Sequence, residues 1–403
     1  MRDTFLPFSP PAISEEEIAE VVDTLRSDWL TTGPKVRRFE EEFAAAVGAP
    51  ASLAVNSGTA AMHVALAALG IGPGDAVITT PMTFVSTVHV IEQVGAHPIL
   101  VDVEPDTLNI DPARVAEAIV AATQQGLRVK AILPVHLYGH PCDMNALMNI
   151  ACQYGLAVVE DAAHALPASY EGKSIGSFAN HYPAPVLTCF SFYATKNLTT
   201  GEGGMLTGPR ELIDEARIWS LHGMSRDAWD RYSAKGSWYY EVIRPGFKYN
   251  LTDLQAAIGL QQLKKLAGFQ TRRKTIVRRY NEGLSQFEAL SLPVMRPEVE
   301  SAWHLYVVRL NLEQLRISRE QFIEELRARN IGSSVHFIPV HTHPYYRDKY
   351  GFKPDDFPIA FREFQRITSL PINLRLSDRD VDDVIEAVGD VLNEFKLEAR
   401  HVA

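Results

Sequence analysis

The chain has few of the features that mark several common classes of protein. Its 403 residues include three cysteines, Cys142, Cys152 and Cys189, without a CxxC pair, which argues against a disulfide framework and a structural zinc site. No lysine- and arginine-rich run offsets a net charge of −10, so a nucleic-acid partner is disfavoured. No apolar run has the length of a membrane span, and the opening residues do not resemble a signal peptide. We expect a soluble, cytoplasmic protein without a membrane partner.

The first half of the sequence alternates short apolar runs with helical patterns. Ser14 and Glu17 have the spacing of a capping box at the start of one helix, and a second helix is predicted over 36–47. The strand candidates are ASLAV, AVITT, HPILVDV, VKAILPV, GLAVVE and VLTCFSF. Runs of this type separated by helices predict an α/β fold with a mainly parallel sheet, and ligands bind at the carboxyl ends of such strands.

The second half has a different pattern. Residues 253–284 are compatible with one helix, in which Gly259 and Gly268 are weak points. The following segments AWHLYVVRL, SREQFIEELRARN, GSSVHFIPV, ITSLPIN and SDRDVDDVIEAVGDVLNEF predict strand, helix, strand, strand and helix. We therefore expect an N-terminal segment and large domain over 1–250, and an interdomain helix with a small α+β domain over 251–403. The segment GSFANHYPAPV is predicted to be a surface or active-site loop.

The first candidate site follows the run ASLAV, where Ser57, Gly58 and Thr59 stand at a predicted helix start. Such a start offers backbone N–H groups and the positive end of the helix dipole to an anion, and a glycine lets a phosphate approach closely. Taken alone, the segment fits an ordinary helix capped by Ser57 or Thr59 as well.

The second candidate site is GLAVVEDAAHA, where an apolar strand ends at Glu160 and Asp161. A carboxylate at this position can pair with a protonated ring nitrogen, which is what makes pyridoxal phosphate an electron sink. A magnesium or ribose contact, or a helix cap, remains open for Asp161. His164 could lie beside the ligand ring or be a structural histidine.

The third candidate site is Lys196, which follows the strand CFSF and precedes a glycine-rich hairpin. An amine that forms a Schiff base needs a neutral fraction, and burial beside a cationic cofactor supplies it. Ser191 could bind the phosphate. A single lysine is more often a solvated surface charge, but here it follows a phosphate cradle and a strand-end carboxylate in order. The three together predict a pyridoxal phosphate site.

Six segments of this chain are shared with a known family. They are NSGTAAMHVAL, PMTFVST, VHLYGHPCDM, EDAAHA, SFYATKNLTTGEGG and KYNLTDLQAAIG. Together they resemble the DegT/DnrJ/EryC1/StrS family of sugar aminotransferases, and the resemblance runs from about residue 10 to 395. It implies a fold-type I pyridoxal phosphate enzyme with a seven-stranded type of sheet, and a homodimer with shared active sites. It also implies a nucleotide-linked keto sugar as amino acceptor and L-glutamate as donor.

The resemblance assigns roles to individual residues. Lys196 matches the Schiff-base lysine, which excludes the deoxygenating branch that has histidine there, and Asp161 matches its pyridinium partner. His164 is at most an orienting residue, since some members have glutamine. Gly58, Thr59 and Ser191 match the phosphate contacts. Phe84 matches the aromatic residue that stacks on the cofactor ring, but it could instead be a core residue. Asn250 matches a phosphate contact from the partner subunit, but it could instead cap a helix near Thr252.

The C-terminal half most resembles enzymes that aminate C4 of UDP-linked keto sugars, above all those making UDP-4-amino-4-deoxy-L-arabinose for lipopolysaccharide. This resemblance implies that His336 contacts the substrate. Lys248, Arg226 and Arg231 are candidates to bind the diphosphate of the sugar nucleotide, or they are simple surface charges. The spacings of His336, His341 and His343 across a proline-containing loop argue against a metal site. Two alternatives stay open: a non-catalytic regulator on the same fold, and another pyridoxal phosphate chemistry such as desulfuration or glycine C–C cleavage.

Overall fold

The structure, a computed structural model, describes residues 2–224 and 240–397. In chain order its strands are β1 (Ala51–Val55), β2 (Asp75–Thr79), β3 (His97–Leu100), β4 (Arg128–Ile132), β5 (Ala157–Asp161), β6 (Ser169–Tyr170), β7 (Lys173–Ser174), β8 (Val186–Ser191), β9 (Gly204–Gly208), β10 (Leu290–Ser291), β11 (Val299–Glu300), β12 (Tyr306–Leu310) and β13 (Ile367–Leu370). The helices are α1 (Glu15–Arg26), α2 (Pro34–Val47), α3 (Gly58–Ala68), α4 (Ser86–Gln93), α5 (Pro112–Gln124), α6 (Met144–Tyr154), α7 (Arg210–Ser220), α8 (Asp253–Leu284), α9 (Arg319–Ala328), α10 (Pro344–Tyr350), α11 (Pro358–Phe364) and α12 (Asp378–Glu394).

A seven-stranded sheet forms the centre of the molecule, in the order β1-β9-β8-β5-β4-β2-β3. All neighbouring strands are parallel except β9, which is antiparallel to both β1 and β8. The six parallel strands confirm the six predicted runs. The seventh strand, β9, was not among the predicted runs, but it pairs antiparallel with β8 and so forms the predicted glycine-rich hairpin after Lys196. Gly204 is required because a Cβ there would lie 2.4 Å from the carbonyl oxygen of Ser57.

The long helix α8 confirms the prediction for residues 253–284 and extends without a break. Thr252 is its N-cap, so the alternative of a cap at Asn250 is wrong. Gly259 is a packing position and not a weak point, because a Cβ there would lie 2.6 Å from the ring of Phe39. A Cβ at Gly268 would meet no atom within 4 Å.

The helix α8 contributes to two hydrophobic clusters. Its first half packs with the sheet through Leu260 and Leu266, and its second half packs with β12, β13 and α12 through Ile276 and Tyr280. Leu6 joins this second cluster, although it belongs to the N-terminal segment. The proposed domain boundary at residue 250 remains a prediction.

In the C-terminal half, one predicted strand is wrong and two predicted helices are confirmed. GSSVHFIPV is not a strand, which corrects the prediction: Gly332 N–H bonds to Leu6 O at 2.9 Å, and only Ser334 forms a bridge, with Ser369. The following Pro339 has no N–H to donate to a ladder. The helices starting after Ser318 and Ser377 are confirmed, each with a capping box. Within the described ranges, no helix has the length and apolar character needed to span a bilayer.

Candidate active site

A cavity of about 370 Å³ lies at the carboxyl ends of β5 and β8, beside the start of α3. This is the edge of a parallel sheet where ligands are expected. Its walls bring together residues from several parts of the chain that are far apart in sequence. They are Ser57, Gly58, Thr59, Met62, Thr83, Phe84, Ser86, Val135, Asp161, Ala163, His164, Ser191, Tyr193, Thr195, Lys196, Glu202, His304, His336 and Phe337.

The start of α3 forms one wall of the cavity. Ser57 is the N-cap, and its hydroxyl accepts a hydrogen bond from the N–H of Ala60 at 3.0 Å. The capped-helix interpretation is therefore correct, and the phosphate cradle stays a prediction that is compatible with it, because the N–H groups of the first turn lack intrahelical acceptors. A Cβ at Gly58 would lie 2.9 Å from Cβ of Ser191, so glycine is required for the start of α3 to lie this close to the end of β8.

Asp161, the last residue of β5, is buried and contributes its carboxylate to the cavity. Oδ2 accepts a hydrogen bond from the hydroxyl of Thr87 at 2.8 Å, and Oδ1 accepts one from Ala163 N–H at 3.2 Å. Burial raises the pKa of Asp161, while these bonds and the nearby Lys196 act in the opposite direction. The carboxylate suits a cationic partner, which would restore its ionised form.

Lys196 follows β8 in a tight turn that its N–H closes by bonding to Tyr193 O at 2.9 Å. Burial lowers the pKa of its amine to about 8, although the charge of Asp161 acts to raise it. The side chain lines the cavity, so the interpretation as a solvated surface charge is wrong. A lysine with this pKa has an appreciable neutral fraction, as an amine nucleophile requires.

Aromatic rings form the remaining walls. The ring of His164 stacks on that of Phe337, with centroids 5.7 Å apart, and the ring of His304 lies 4.4 Å from that of His164 between centroids. Phe84 is 57% exposed, so it is not a core residue and is free to contact a ligand. His336, the predicted substrate contact, also lines the cavity, and its Nδ1 lies 2.8 Å from the hydroxyl of Ser369.

The sequence prediction missed two residues that matter here. His304 lies within AWHLYVVRL, a segment interpreted only as a strand, and Thr87 ends the PMTFVST motif, in which Phe84 alone is given a role. No spacing rule identifies either residue, because each reaches the site through a contact between distant segments.

Among the described residues, Asn250 and His341 lie away from this cavity. Asn250 does not line the cavity of its own chain; its amide donates to Thr32 Oγ1 at 2.8 Å and accepts from the Lys248 amine. Arg226 and Arg231 lie outside the described residues. His341 is buried beside Phe357 and does not line the cavity. Among the described residues there is no cluster of histidine, cysteine and acidic side chains that could hold a metal ion.

The loop GSFANHYPAPV also lies away from the cavity. It contains a short 3₁₀ turn, Phe178–Asn180, whose phenylalanine is fully buried. Of the two predicted alternatives, the surface loop is correct.

The residues present fit pyridoxal phosphate. A glycine-floored helix start suits its phosphate, a buried carboxylate its ring nitrogen, and an amine with a lowered pKa its aldehyde. The fold and site together define a fold-type I pyridoxal phosphate-dependent enzyme. A sequence profile of the DegT/DnrJ/EryC1/StrS aminotransferase family matches residues 11–389, and the chain belongs to this family of sugar aminotransferases.

Individual relatives agree with this assignment. The spore coat polysaccharide biosynthesis protein SpsC of Bacillus subtilis is 51% identical over 97% of this chain and 98% of its own length. Spr1654 of Streptococcus pneumoniae, solved in its PMP form, is 36% identical with a TM-score of 0.88, over 96% of this chain and 99% of its own. Its PLP form has a TM-score of 0.87. The sugar aminotransferase CalS13 of Micromonospora echinospora is 28% identical with a TM-score of 0.82, over 95% of this chain and 99% of its own. The cofactor is therefore pyridoxal phosphate, and the reaction is a transamination.

Proposed function

We propose that the enzyme transfers an amino group from L-glutamate to a nucleotide-linked keto sugar, at C4 of a UDP-4-keto sugar, for a cell-surface polysaccharide or lipopolysaccharide. The observation that carries the proposal is the meeting of Lys196 and Asp161 in one cavity of a sugar aminotransferase. The name of SpsC, a protein of spore coat polysaccharide biosynthesis, supports a polysaccharide precursor as the product.

In this proposal, residues at the ends of four strands, β1, β2, β5 and β8, hold the cofactor, which supplies an electron sink when bound. The Asp161 carboxylate holds a proton on the ring nitrogen. Gly58, Thr59 and Ser191 bind the phosphate. Phe84 and His164 contact the ring, and the neutral His164 suits this position because burial holds its pKa well below the ordinary value.

Lys196 carries both chemical roles. With pyridoxal phosphate bound, its amine would hold the cofactor covalently, and the amine of the amino donor would displace it. The free amine then moves a proton between the α carbon of the donor and C4′ of the cofactor. In the second half-reaction it moves the proton in the opposite direction, to give the amino sugar. A single residue serves both halves because its tether keeps it near C4′.

The distribution of charge supports a shared site in a homodimer. Among the described residues that line the cavity, Lys196 is the only lysine or arginine, whereas a cofactor phosphate and a sugar-nucleotide diphosphate both need positive or donor groups. We propose that Asn250 of the partner subunit contacts the cofactor phosphate. Lys248, Arg226 and Arg231 are the candidates for the diphosphate, and His336 for the sugar. We also propose that the enzyme acts in the cytoplasm, since its three cysteines form no disulfide.

A half-reaction tests the substrates. The enzyme is first converted by L-glutamate to its pyridoxamine form, and then mixed separately with UDP-4-keto sugars, other nucleotide-linked keto sugars and pyruvate. We expect a UDP-4-keto sugar to restore the visible absorbance of the lysine-bound cofactor. Restoration by pyruvate alone would contradict the sugar substrate. Conversion by another amino acid but not by glutamate would contradict the donor.

The same material separates this function from the two alternatives. A non-catalytic regulator would show no conversion with any donor and acceptor. A desulfurase would need a mobile reactive cysteine, but Cys142 and Cys189 are buried and the exposed Cys152 does not line the cavity. Burial raises the pKa of both buried thiols well above the ordinary value, which makes them poor nucleophiles.

A further inference from the structure

A pair of hydrogen bonds connects the residue after Lys196 to a distant segment of the chain. The side chain of Asn197, which is 5% exposed, donates from Nδ2 to the carbonyl oxygen of Ala302 at 2.8 Å. Its Oδ1 lies 3.1 Å from Nδ1 of His304. Since a carbonyl oxygen only accepts, the amide orientation requires His304 to carry its proton on Nδ1.

His304 remains neutral in this environment. Burial holds its pKa well below the ordinary value. The neighbouring side chains of His164, Lys196, Arg273 and His336 also lower this pKa. A neutral imidazole has a single N–H, and that N–H is committed to Asn197.

The segment that carries His304 is fixed from its other side. Arg273, on α8, is 3% exposed, and its Nη1 donates to Trp303 O at 2.9 Å and to His304 O at 3.3 Å. The backbone around His304 is therefore held by α8, while its side chain holds the turn that follows β8. These contacts link α8, through His304, to the turn that carries Lys196.

We propose that His304 is a positioning residue for Lys196, whose Nδ1–H fixes the turn that presents the lysine amine to the cavity by donating to Asn197 Oδ1. The inference rests on the proposed role of Lys196 as cofactor anchor. Without this bond Asn197 keeps only its contact with Ala302, so the turn is held less firmly and the amine gains access to water. Positioning errors of this kind have large effects on rate, since a displacement of about 1 Å can cost about a hundredfold.

Two variants of His304 separate its hydrogen bond from its ring. His304→Asn places an amide N–H where Nδ1–H lies, so it keeps the bond to Asn197 and loses the stack on His164. His304→Phe keeps the stack and loses the bond. Asn197→Ala removes the oxygen that accepts the bond from His304, and it replaces His304→Phe in the experiment if that variant does not fold.

The measurement is made on the full chain freed of cofactor, so that it does not depend on any substrate. The extent of acylation of Lys196 by acetic anhydride is followed against pH by peptide mass spectrometry, and its midpoint reports the pKa of the amine. We expect His304→Phe and Asn197→Ala to raise this midpoint by about one pH unit, towards that of a hydrated lysine, and His304→Asn to retain the native midpoint. In the reconstituted enzymes, kcat should fall roughly tenfold to a hundredfold in the first two, with less change in KM.

Three outcomes would overturn the proposal: no shift in any variant, an equal shift in both His304 variants, or a loss of thermal stability with an unchanged midpoint. The proposed sugar substrate fails by a different result. An enzyme that converts no keto sugar but shows these midpoints would contradict the substrate and leave the role of His304 standing.

Discussion

Thr87 donates a hydrogen bond from its hydroxyl to Oδ2 of Asp161 at 2.8 Å. Both groups are buried, and the threonine hydroxyl in turn lies 2.7 Å from that of Thr83. Since Thr87 Oγ1 has one proton and gives it to the carboxylate, the other threonine donates in this chain. The last residue of β5 is thereby stabilised in its ionised form by the first turn of α4.

Replacement of Thr87 by valine should weaken cofactor binding and catalysis. The variant keeps the shape of the side chain and removes the hydroxyl, so the pKa of Asp161 rises further and its carboxylate holds the ring-nitrogen proton less well. We expect kcat to fall roughly tenfold to a hundredfold, the size of effect when a charged group loses a hydrogen bond. Steady-state kinetics of Thr87→Val and Thr87→Ser measure it; equal losses in both would show that the hydroxyl is not the cause.

Addition of one methyl group at Gly58 should abolish tight cofactor binding. The new Cβ would lie 2.9 Å from Cβ of Ser191 and would push Ser191 away from the helix start, two groups that we propose bind the phosphate. Equilibrium titration of the cofactor-free protein with pyridoxal phosphate is the measurement. Gly268→Ala, whose Cβ meets no atom, should bind as the native protein does. Native affinity in Gly58→Ala would place the phosphate elsewhere.

The two interior glycines of α8 should respond to alanine with opposite signs. Gly259→Ala places a Cβ 2.6 Å from the Phe39 ring and should lower the free energy of unfolding by about 1–3 kcal/mol, the cost of overpacking. Gly268→Ala has open space and should raise it by about 0.5–1 kcal/mol through helix propensity. Urea denaturation of both variants checks the prediction, which a similar change in the two would refute.

The attachment of pyridoxal phosphate to the cofactor-free protein should depend on pH through Lys196. Its amine has a pKa of about 8, so the reactive neutral form increases as the pH rises and predominates above this value. The initial rate of attachment should therefore rise with pH and level off above about pH 8. The charge of Asp161 acts to raise this pKa, so Asp161→Asn should shift the midpoint downward. An upward shift would contradict the electrostatic assignment.

A shared active site predicts that two inactive variants recover activity when mixed. In a mixed dimer of Lys196→Ala and Asn250→Ala subunits, one site has its own Lys196 and receives Asn250 from the other subunit. Activity should appear after subunit exchange, and native mass spectrometry should confirm the mixed dimer. Mixed dimers without activity would place Asn250 outside the partner's site.

Much of the sheet and part of the site could be predicted from the sequence, for a physical reason. Buried parallel strands are continuous apolar runs, and residues at their carboxyl ends meet at one edge. Gly58, Asp161 and Lys196 each follow or end such a run, so their meeting at this edge is expected from the sequence. The strand β9 is not found in this way, because Gly204 packs closely against the start of α3 and Gly208 against β8, and glycine conceals the strand pattern.

The contacts that tune the site could not be predicted from local patterns. Thr87 and His304 act through hydrogen bonds between segments that are distant in sequence, and such pairings have no local signature. The strand predicted over GSSVHFIPV was wrong for a related reason: its first residue, Gly332, bonds to Leu6 of the N-terminal segment, a competing partner that periodicity does not reveal.

The most direct test of Lys196 as the cofactor anchor is reduction of the purified holoenzyme with borohydride, followed by proteolysis and mass spectrometry. Reduction makes the bond between the cofactor and its lysine permanent, so the modified peptide identifies the anchor. We predict that the peptide containing Lys196 carries the phosphopyridoxyl group and that Lys196→Ala carries none. Modification of a different lysine, or an unmodified Lys196 in a protein that holds pyridoxal phosphate, would contradict this assignment.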